Sequence, residues 1–174
     1  PVAYLVGQRE FFSLQFRVTP DVLIPRPETE LIVVAILDHV KQQGRGRERL
    51  KIVDVGTGSG VLAVTIAKHL SRAEVVAVDT SSAALNVARG NAERHGVAEQ
   101  IEFVESDLLS NISTDHQFDI LVSNPPYVSS AEYAQLPVEV RDHERRAALE
   151  AGPRGTEFIE RLLPQSAARL STDG

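Results

Sequence analysis

Hydrophobic and polar residues follow a regular block pattern from about the fiftieth residue onward. Four short apolar runs, "KIVDVG", "EVVAVD", "IEFVES" and "FDILVS", predict buried strands. The longer stretches "GVLAVTIAKHL" and "SAALNVARGNAERHG" predict helices, and "GTEFIERLLPQSAARL" predicts another with a kink or break near Pro164. Strands that alternate with helices indicate an α/β fold, with a mostly parallel sheet and helices on both faces.

The beginning of the chain has a different pattern. The pieces "YLV" and "LQFRV" predict a β-hairpin within residues 3–18. Pro27 and the acidic residues after it suit the first turn of a helix, which the apolar spacing extends over residues 28–42. We therefore divide the chain into a hairpin with a linker, residues 1–26, and a core, residues 27–174.

The composition narrows the class of protein. The chain has 174 residues, 43% of them hydrophobic, which suits one globular domain. A net charge of −6 disfavours a nucleic-acid substrate, because such binding relies on basic surfaces. There is no cysteine, and the five histidines lack ligand spacing, so we expect no disulfide and no metal site. No apolar run approaches the ~20 residues of a membrane span, and no signal peptide is visible, so a cytoplasmic location is expected.

A glycine-rich turn follows the first predicted strand of the core. The segment "DVGTGSG" contains Gly56, Thr57, Gly58, Ser59 and Gly60, and the next strand ends at Asp79. Glycines allow the backbone to approach a ligand closely, and a carboxylate in this place can accept hydrogen bonds from both ribose hydroxyls. The spacing differs from the G-x-G-x-x-G of dinucleotide enzymes and no P-loop lysine is present, which favours S-adenosyl-L-methionine over NAD or ATP. The alternative is a plain turn with a solvated aspartate.

Two residues after the third strand are candidates for the adenine site. Asp107 would accept a hydrogen bond from the exocyclic amino group, and Leu108 would pack on the ring. The alternative for Asp107 is a structural cap of a turn or helix, a common role of aspartate.

The fourth strand runs into an asparagine, two prolines and a tyrosine. Neither Pro125 nor Pro126 can donate to a sheet, so the strand must stop there. We predict that the Asn124 side-chain oxygen and the Pro125 carbonyl hold the two N–H bonds of a planar amino group, while Tyr127 walls the substrate. Orientation then carries most of the rate, without a metal or a strong base. The alternative is a rigid turn.

Together these segments resemble the HemK/PrmC family, the glutamine-N5 methyltransferases of peptide-chain release factors. The resemblance is carried by "YLVGQREFFSLQFRV", "VLIPRPETELI", "DVGTGSG", "NAERHGV", "SNPPYV" and "AGPRG". Of these, "IPRPETE" with the preceding hairpin is the specific part, since base-methylating enzymes also carry NPPY. The resemblance implies a Rossmann-like class I methyltransferase core that uses S-adenosyl-L-methionine and is preceded by a β-hairpin.

The resemblance also implies roles for individual residues. The cofactor would contact Gly56 to Gly60, Asp79, Leu108 and Asn124. The glutamine of a Gly-Gly-Gln loop would be held by Asn124, Pro125, Pro126 and Tyr127, and the segment from Arg26 through Glu28 to Glu30, with Leu23 and Ile24, would border that pocket. Release factors would be the protein partners.

The chain departs from the family in two respects. It has "HERR" at 143–146, where the family tends to have Glu-Pro. It also contains no methionine and ends in a turn-like segment, so we expect both ends to be cut, with a preceding helical domain and C-terminal strands missing. The alternatives are an adenine-N6 methyltransferase on DNA or RNA, a glutamine methyltransferase acting on a ribosomal protein, and a cofactor-binding module without catalysis.

Overall fold

Four parallel strands form the central sheet of the computed structural model, which describes residues 1–172. Strand β3 (Lys51–Val55) pairs with β4 (Glu74–Asp79) on one side and with β6 (Ile120–Ser123) on the other, and β5 (Ile101–Glu105) lies beyond β4. All four predicted strands are thereby confirmed. The chain runs outward from β3 through β4 to β5 and then returns to β6 on the opposite side. Ligands of such sheets bind at the carboxyl ends of the strands beside this reversal.

Helices cover both faces of the sheet, as predicted. Buried side chains alternate along the strands, so that Ile52 and Val75 face one layer while Val53 and Val76 face the other. The first layer contains α2 (Glu30–Gln42), α3 (Val61–His69) and α4 (Ser82–Arg94), and the second contains α7 (Glu157–Ala167) with the segment around Leu109. Helix α2 begins later than predicted, because Pro27–Thr29 forms a 3₁₀ turn before it. Helix α7 continues through Pro164 without a break.

The hairpin consists of β1 (Gln8–Phe11) and β2 (Leu14–Arg17), paired antiparallel. The prediction of a strand at "YLV" is wrong, since these residues lie in the short helix α1 (Val2–Val6). Gly7 ends that helix with a left-handed backbone, φ +72°, and only then does the chain become extended. Phe11 on β1 and Phe16 on β2 are buried in the same core cluster as α2 and α3. The division of the chain near residue 26 stays a prediction.

A smaller substructure lies between β6 and α7. It contains a parallel pair of short strands with two single-turn helices and a 3₁₀ turn between them: β7 (Val128–Ser129), α5 (Ser130–Tyr133), α6 (Val138–Arg141), Arg146–Ala148 and β8 (Glu150–Gly152). Another 3₁₀ turn, Ala98–Gln100, leads into β5. None of the helices within residues 1–172 has the length and apolar character needed to cross a membrane.

Candidate active site

The loop from β3 to α3 turns sharply because its three glycines adopt a left-handed backbone. Their φ angles are +78° at Gly56, +55° at Gly58 and +82° at Gly60. A Cβ at Gly60 would lie 3.0 Å from the Cβ of Ala88, so glycine there allows α3 and α4 to pack closely. A Cβ at Gly58 would meet nothing within 4 Å. The backbone at Gly58 is therefore open to the cavity that it lines.

Asp54 lies beneath this loop, and the sequence had not marked it as a site residue. Its side chain is buried, and its Oδ2 accepts hydrogen bonds from Thr57 Oγ1 at 2.7 Å and from the backbone N–H of Ala63 at 3.2 Å. Its Oδ1 has no partner among the described residues. Burial raises the pKa of Asp54 to about 7, against the lowering effect of both hydrogen bonds. Asp54 thus fixes the loop relative to α3 and titrates near neutral pH.

Asp79, at the end of β4, faces the same loop from the next strand. Its Oδ2 accepts the backbone N–H of Gly58 at 2.9 Å, and its Oδ1 accepts that of Ser81 at 3.0 Å. Each carboxylate oxygen has a further lone pair, so both can still accept from a ligand diol. Ser81 in turn caps α4 by accepting the N–H of Ala84 at 3.2 Å. The carboxylate is thereby held in one orientation at the edge of the cavity.

The end of β5 places only some of the predicted adenine contacts in the cavity. Ser106 and Leu108 line it, and Leu108 is buried with a left-handed φ of +53°. Asp107 lies outside, where it forms an ion pair with Arg161 on the surface. Both partners of this ion pair are more than half exposed. A contact of Asp107 with adenine stays a prediction, and it would require this carboxylate to leave Arg161.

The tetrapeptide after β6 lies directly beside the glycine loop. The hydroxyl of Ser123 donates to the carbonyl of Val55 at 2.6 Å, which ties the ends of β6 and β3 together. Asn124 then turns its Nδ2 toward Thr29, whose Oγ1 accepts the hydrogen bond at 3.1 Å. Tyr127 is 66% exposed, so its ring is accessible to a partner molecule. The asparagine is fixed, whereas the tyrosine has a free face.

Glu144 and Arg145, two adjacent residues before β8, connect the linker after the hairpin to the site. Glu144 is buried and accepts from Arg26 Nη2 at 2.7 Å and from the backbone N–H of Ile24 at 3.3 Å. Arg145 donates through Nη1 to Ser81 Oγ at 2.9 Å and to the carbonyl of Asp21 at 3.2 Å. The "HERR" segment therefore fastens the linker after the hairpin to the β4–α4 corner.

The site consists of two cavities that meet. The first lies at the carboxyl ends of β3, β4 and β6, and the second lies between the 3₁₀ turn before α2 and the start of β7. The predicted site residues in the first are Arg26, Gly56, Thr57, Gly58, Ser59, Asp79, Leu108, Asn124 and Pro126. Those in the second are Arg26, Glu28, Asn124, Pro125 and Tyr127. Gly60 and Asp107 line neither cavity. The residues common to both cavities are Leu23, Arg26, Thr29, Asn124 and Ala148.

The sequence indicated Thr29 only as part of the segment that borders the pocket, and it indicated no role for Asn91 or Glu144, although all three residues hold this arrangement. Asn91 is fully buried, donates to the carbonyls of Arg17 and Ser59 at 3.0 and 2.8 Å, and so joins the hairpin to the glycine loop. The sequence feature that indicates such a role for Asn91 is its place as a polar residue on the apolar face of a predicted helix. Glu144 lies in a segment already marked as unusual, but its partner Arg26 is 118 residues away, beyond any local pattern.

Comparison with curated proteins gives relatives that are similar to this chain over its whole length. A release factor glutamine methyltransferase from Rhodopirellula baltica is 47% identical over 174 residues, which are all of this chain and 59% of that protein. One from Chlorobaculum tepidum is 46% identical over all of this chain and 60% of its own length. The chain thus spans about three fifths of the length of these curated relatives.

One solved structure has a similar fold, and one family model matches more than half of the chain. The structure of a ribosomal protein L11 methylase from Lactobacillus delbrueckii subsp. bulgaricus matches with a TM-score of 0.60 at 23% identity, over 95% of this chain and 67% of that one. At this identity the likeness shows the fold alone, that of class I methyltransferases. The family model described as the methyltransferase small domain matches residues 32–142. This chain belongs to the methyltransferase small domain family.

Proposed function

We propose that this chain transfers a methyl group from S-adenosyl-L-methionine to the N5 atom of the glutamine in the Gly-Gly-Gln loop of peptide-chain release factors. The observation that carries the proposal is the meeting of two cavities at Asn124. One cavity has the features of a nucleoside site, and the other opens toward the exposed ring of Tyr127. The names of the curated relatives support the choice of substrate.

The first cavity fits S-adenosyl-L-methionine. The backbone at Gly58 is open to it, the Asp79 carboxylate has lone pairs for ribose hydroxyls, and the buried Leu108 offers an apolar surface for adenine. When bound there, the cofactor supplies a methyl group on a positively charged sulfur. The residues of the chain then have to bring a nitrogen lone pair in line with it.

The tetrapeptide can meet this requirement. Conjugation ties up the lone pair of an amide nitrogen, as the peptide rotation barrier of ~18–20 kcal/mol illustrates. Asn124 Oδ1 and the Pro125 carbonyl would each accept one N–H of the substrate amide, which turns the lone pair toward the methyl group. Pro126 restricts the backbone of Pro125 and so fixes the direction of that carbonyl. The new N–C bond would form as the C–S bond of the bound cofactor breaks, the electron pair of that bond would stay on sulfur, and the acidified N–H proton would leave to water.

Release factors are the proposed protein partners, and the cytoplasm is the proposed place of reaction, because translation ends there. The net charge of −6 supports a protein substrate rather than DNA or RNA. Arg26 and Glu28 line the second cavity and would contact the loop that carries the glutamine.

A methyl-transfer assay with labelled S-adenosyl-L-methionine tests the proposal on the protein that carries this chain. Four substrates are compared: a release factor, the same factor with its loop glutamine changed to alanine, a ribosomal protein, and duplex DNA. We expect label on the unmodified release factor alone, and little of it with the Asn124→Ala variant. Label on the alanine-substituted factor or on DNA would overturn the proposal.

A further inference from the structure

Thr29 is the hydrogen-bond partner of the asparagine at the junction of the two cavities. Its side chain is buried, it lines both cavities, and its Oγ1 accepts from Asn124 Nδ2 at 3.1 Å. Because the amide group is planar, turning its nitrogen toward Thr29 turns its oxygen away. Asn124 Oδ1 accepts no hydrogen bond among the described residues, so this acceptor is available to a ligand.

The direction of this amide matters for the proposed reaction. A substrate amide that must be held by its two N–H bonds needs acceptors, and an asparagine can present either an acceptor or a donor. Rotation of the side-chain amide by half a turn would present Nδ2 instead, and two donors would then face each other. A hydroxyl can pair with either end of this amide, so the N–H groups of the substrate choose the orientation, and a partner held in one place sets where Oδ1 then lies.

The position of Thr29 is fixed from both sides. On one side, its backbone N–H donates to the carbonyl of Arg26 at 3.1 Å, and Arg26 is held by the buried Glu144. On the other side, Glu30 accepts the backbone N–H of Phe12 at 2.8 Å, which ties the turn to the hairpin. The Thr29 hydroxyl is therefore held in one place, from which it can fix the position of the Asn124 side chain.

From these contacts we infer that Thr29 is a positioning residue, whose hydroxyl accepts from Asn124 Nδ2 and so sets the place where Oδ1 meets the substrate amide. This inference rests on the proposed function and extends it to a residue outside the tetrapeptide. Thr29 acts through Asn124 and has no reacting atom of its own.

Two substitutions separate the hydroxyl from the rest of the side chain. Thr29→Val keeps the volume and removes the hydroxyl, whereas Thr29→Ser keeps the hydroxyl and removes a methyl group. We expect kcat for release-factor methylation to fall about tenfold in the valine variant, in keeping with the loss of one hydrogen bond. The serine variant should keep most of its activity, and both should bind S-adenosyl-L-methionine within about twofold of the wild type. Thr65→Val, on α3 and away from both cavities, is the matched control.

A second measurement distinguishes positioning from packing. In the Asn124→Ala background, Thr29→Val should cause no further loss, because nothing is left to orient. The side-chain amide resonances of ¹⁵N-labelled Asn124 should shift in Thr29→Val and stay close to the wild type in Thr29→Ser.

The outcomes are distinct. Equal losses in Thr29→Val and Thr29→Ser, or an undiminished effect of Thr29→Val in the Asn124→Ala background, would show that Thr29 only fills space and would overturn the inference. A wild-type protein that does not methylate the release factor would instead refute the proposed function, and the inference would fall with it. The first failure appears only in the variants and the second in the wild type.

Discussion

The Asp54 carboxylate accepts a hydrogen bond from the Thr57 hydroxyl at 2.7 Å while its second oxygen lies buried without a partner in the described part of the chain. Burial raises the pKa of this group to about 7, from an ordinary value of 3.8. The folded protein therefore binds this proton more tightly than the unfolded chain. Ionisation of the buried Asp54 carboxylate lowers the free energy of unfolding. This destabilisation is absent below pH 3.8, grows between pH 3.8 and about 7, and stays at its full size above that range.

The first prediction follows from this fall in stability with rising pH. Asn at this position keeps an acceptor for Thr57 but cannot ionise, so Asp54→Asn should gain stability relative to the wild type as the pH rises. The gain should be about 1.4 kcal/mol for each pH unit between pH 4 and 7, or ~4 kcal/mol in total. Urea unfolding of both proteins at several pH values measures it. Subtracting the stability of the wild type from that of Asp54→Asn at each pH removes the contribution of all other carboxylates. Two stability curves that run parallel over the whole pH range would contradict the raised pKa of Asp54.

The second prediction concerns Asp79. Asp79→Ala removes the acceptors for the proposed ribose contacts and frees the backbone N–H of Gly58. Hydrogen bonds to charged groups contribute ~1.5–3 kcal/mol each, so the affinity for S-adenosyl-L-methionine should fall at least about tenfold. Calorimetric titration measures the loss, with the exposed Asp38→Ala on α2 as the control. Unchanged affinity in Asp79→Ala would exclude the ribose contact, and comparable binding of NADH by the wild type would exclude the choice of cofactor.

The third prediction concerns Gly58, for which Gly96 is a matched control. Both glycines have positive φ angles, +55° and +70°, and a Cβ at either would meet nothing within 4 Å. Alanine should therefore destabilise the protein at either position by about 1–2 kcal/mol through backbone strain. Only Gly58 lines the first cavity, so only Gly58→Ala should also weaken cofactor binding, by about tenfold or more. Equal affinities of the two variants for the cofactor would show that the glycine loop is an ordinary tight turn without a cofactor contact.

The sequence predicts those parts of the fold that local patterns determine. The four strands are continuous apolar runs with clear ends, and the glycine loop is set by backbone angles that only glycine adopts easily. The error at "YLV" has a local cause, since three apolar residues fit a strand as well as one face of a short helix. Gly7 then decides the outcome by closing the helix.

The contacts that orient the site lie beyond local patterns. Thr29 and Asn124 are 95 residues apart, and Arg26 and Glu144 are 118 residues apart, so neither contact follows from spacing. A single sequence shows which residue types are present at such positions, but their meeting depends on how α2 and the β6 edge pack. The resemblance to a family marked the right segments without giving the bonds between them.

The last prediction concerns Asn124, where alanine and aspartate have different effects. Asn124→Ala removes one of the two acceptors proposed for the substrate amide and leaves the Pro125 carbonyl in place. Loss of one such preorganised partner reduces turnover about 10²–10³-fold in other enzymes, and we expect a loss of that order. Cofactor affinity should change far less. Wild-type turnover in Asn124→Ala would refute the proposed mechanism and leave the two prolines as turn residues.

Asn124→Asp is the sharper test, because it changes the donor and keeps the acceptor. Aspartate cannot donate to Thr29, but the Thr29 hydroxyl can donate to aspartate, which leaves the second carboxylate oxygen free for the substrate amide. If hydrogen-bond acceptance is what the reaction needs, Asn124→Asp should therefore be more active than Asn124→Ala. Steady-state kinetics of both variants with the release factor decide this. Equal and nearly complete loss in both would show that the reaction requires the N–H₂ group of the asparagine itself, since the aspartate retains every acceptor that the mechanism uses.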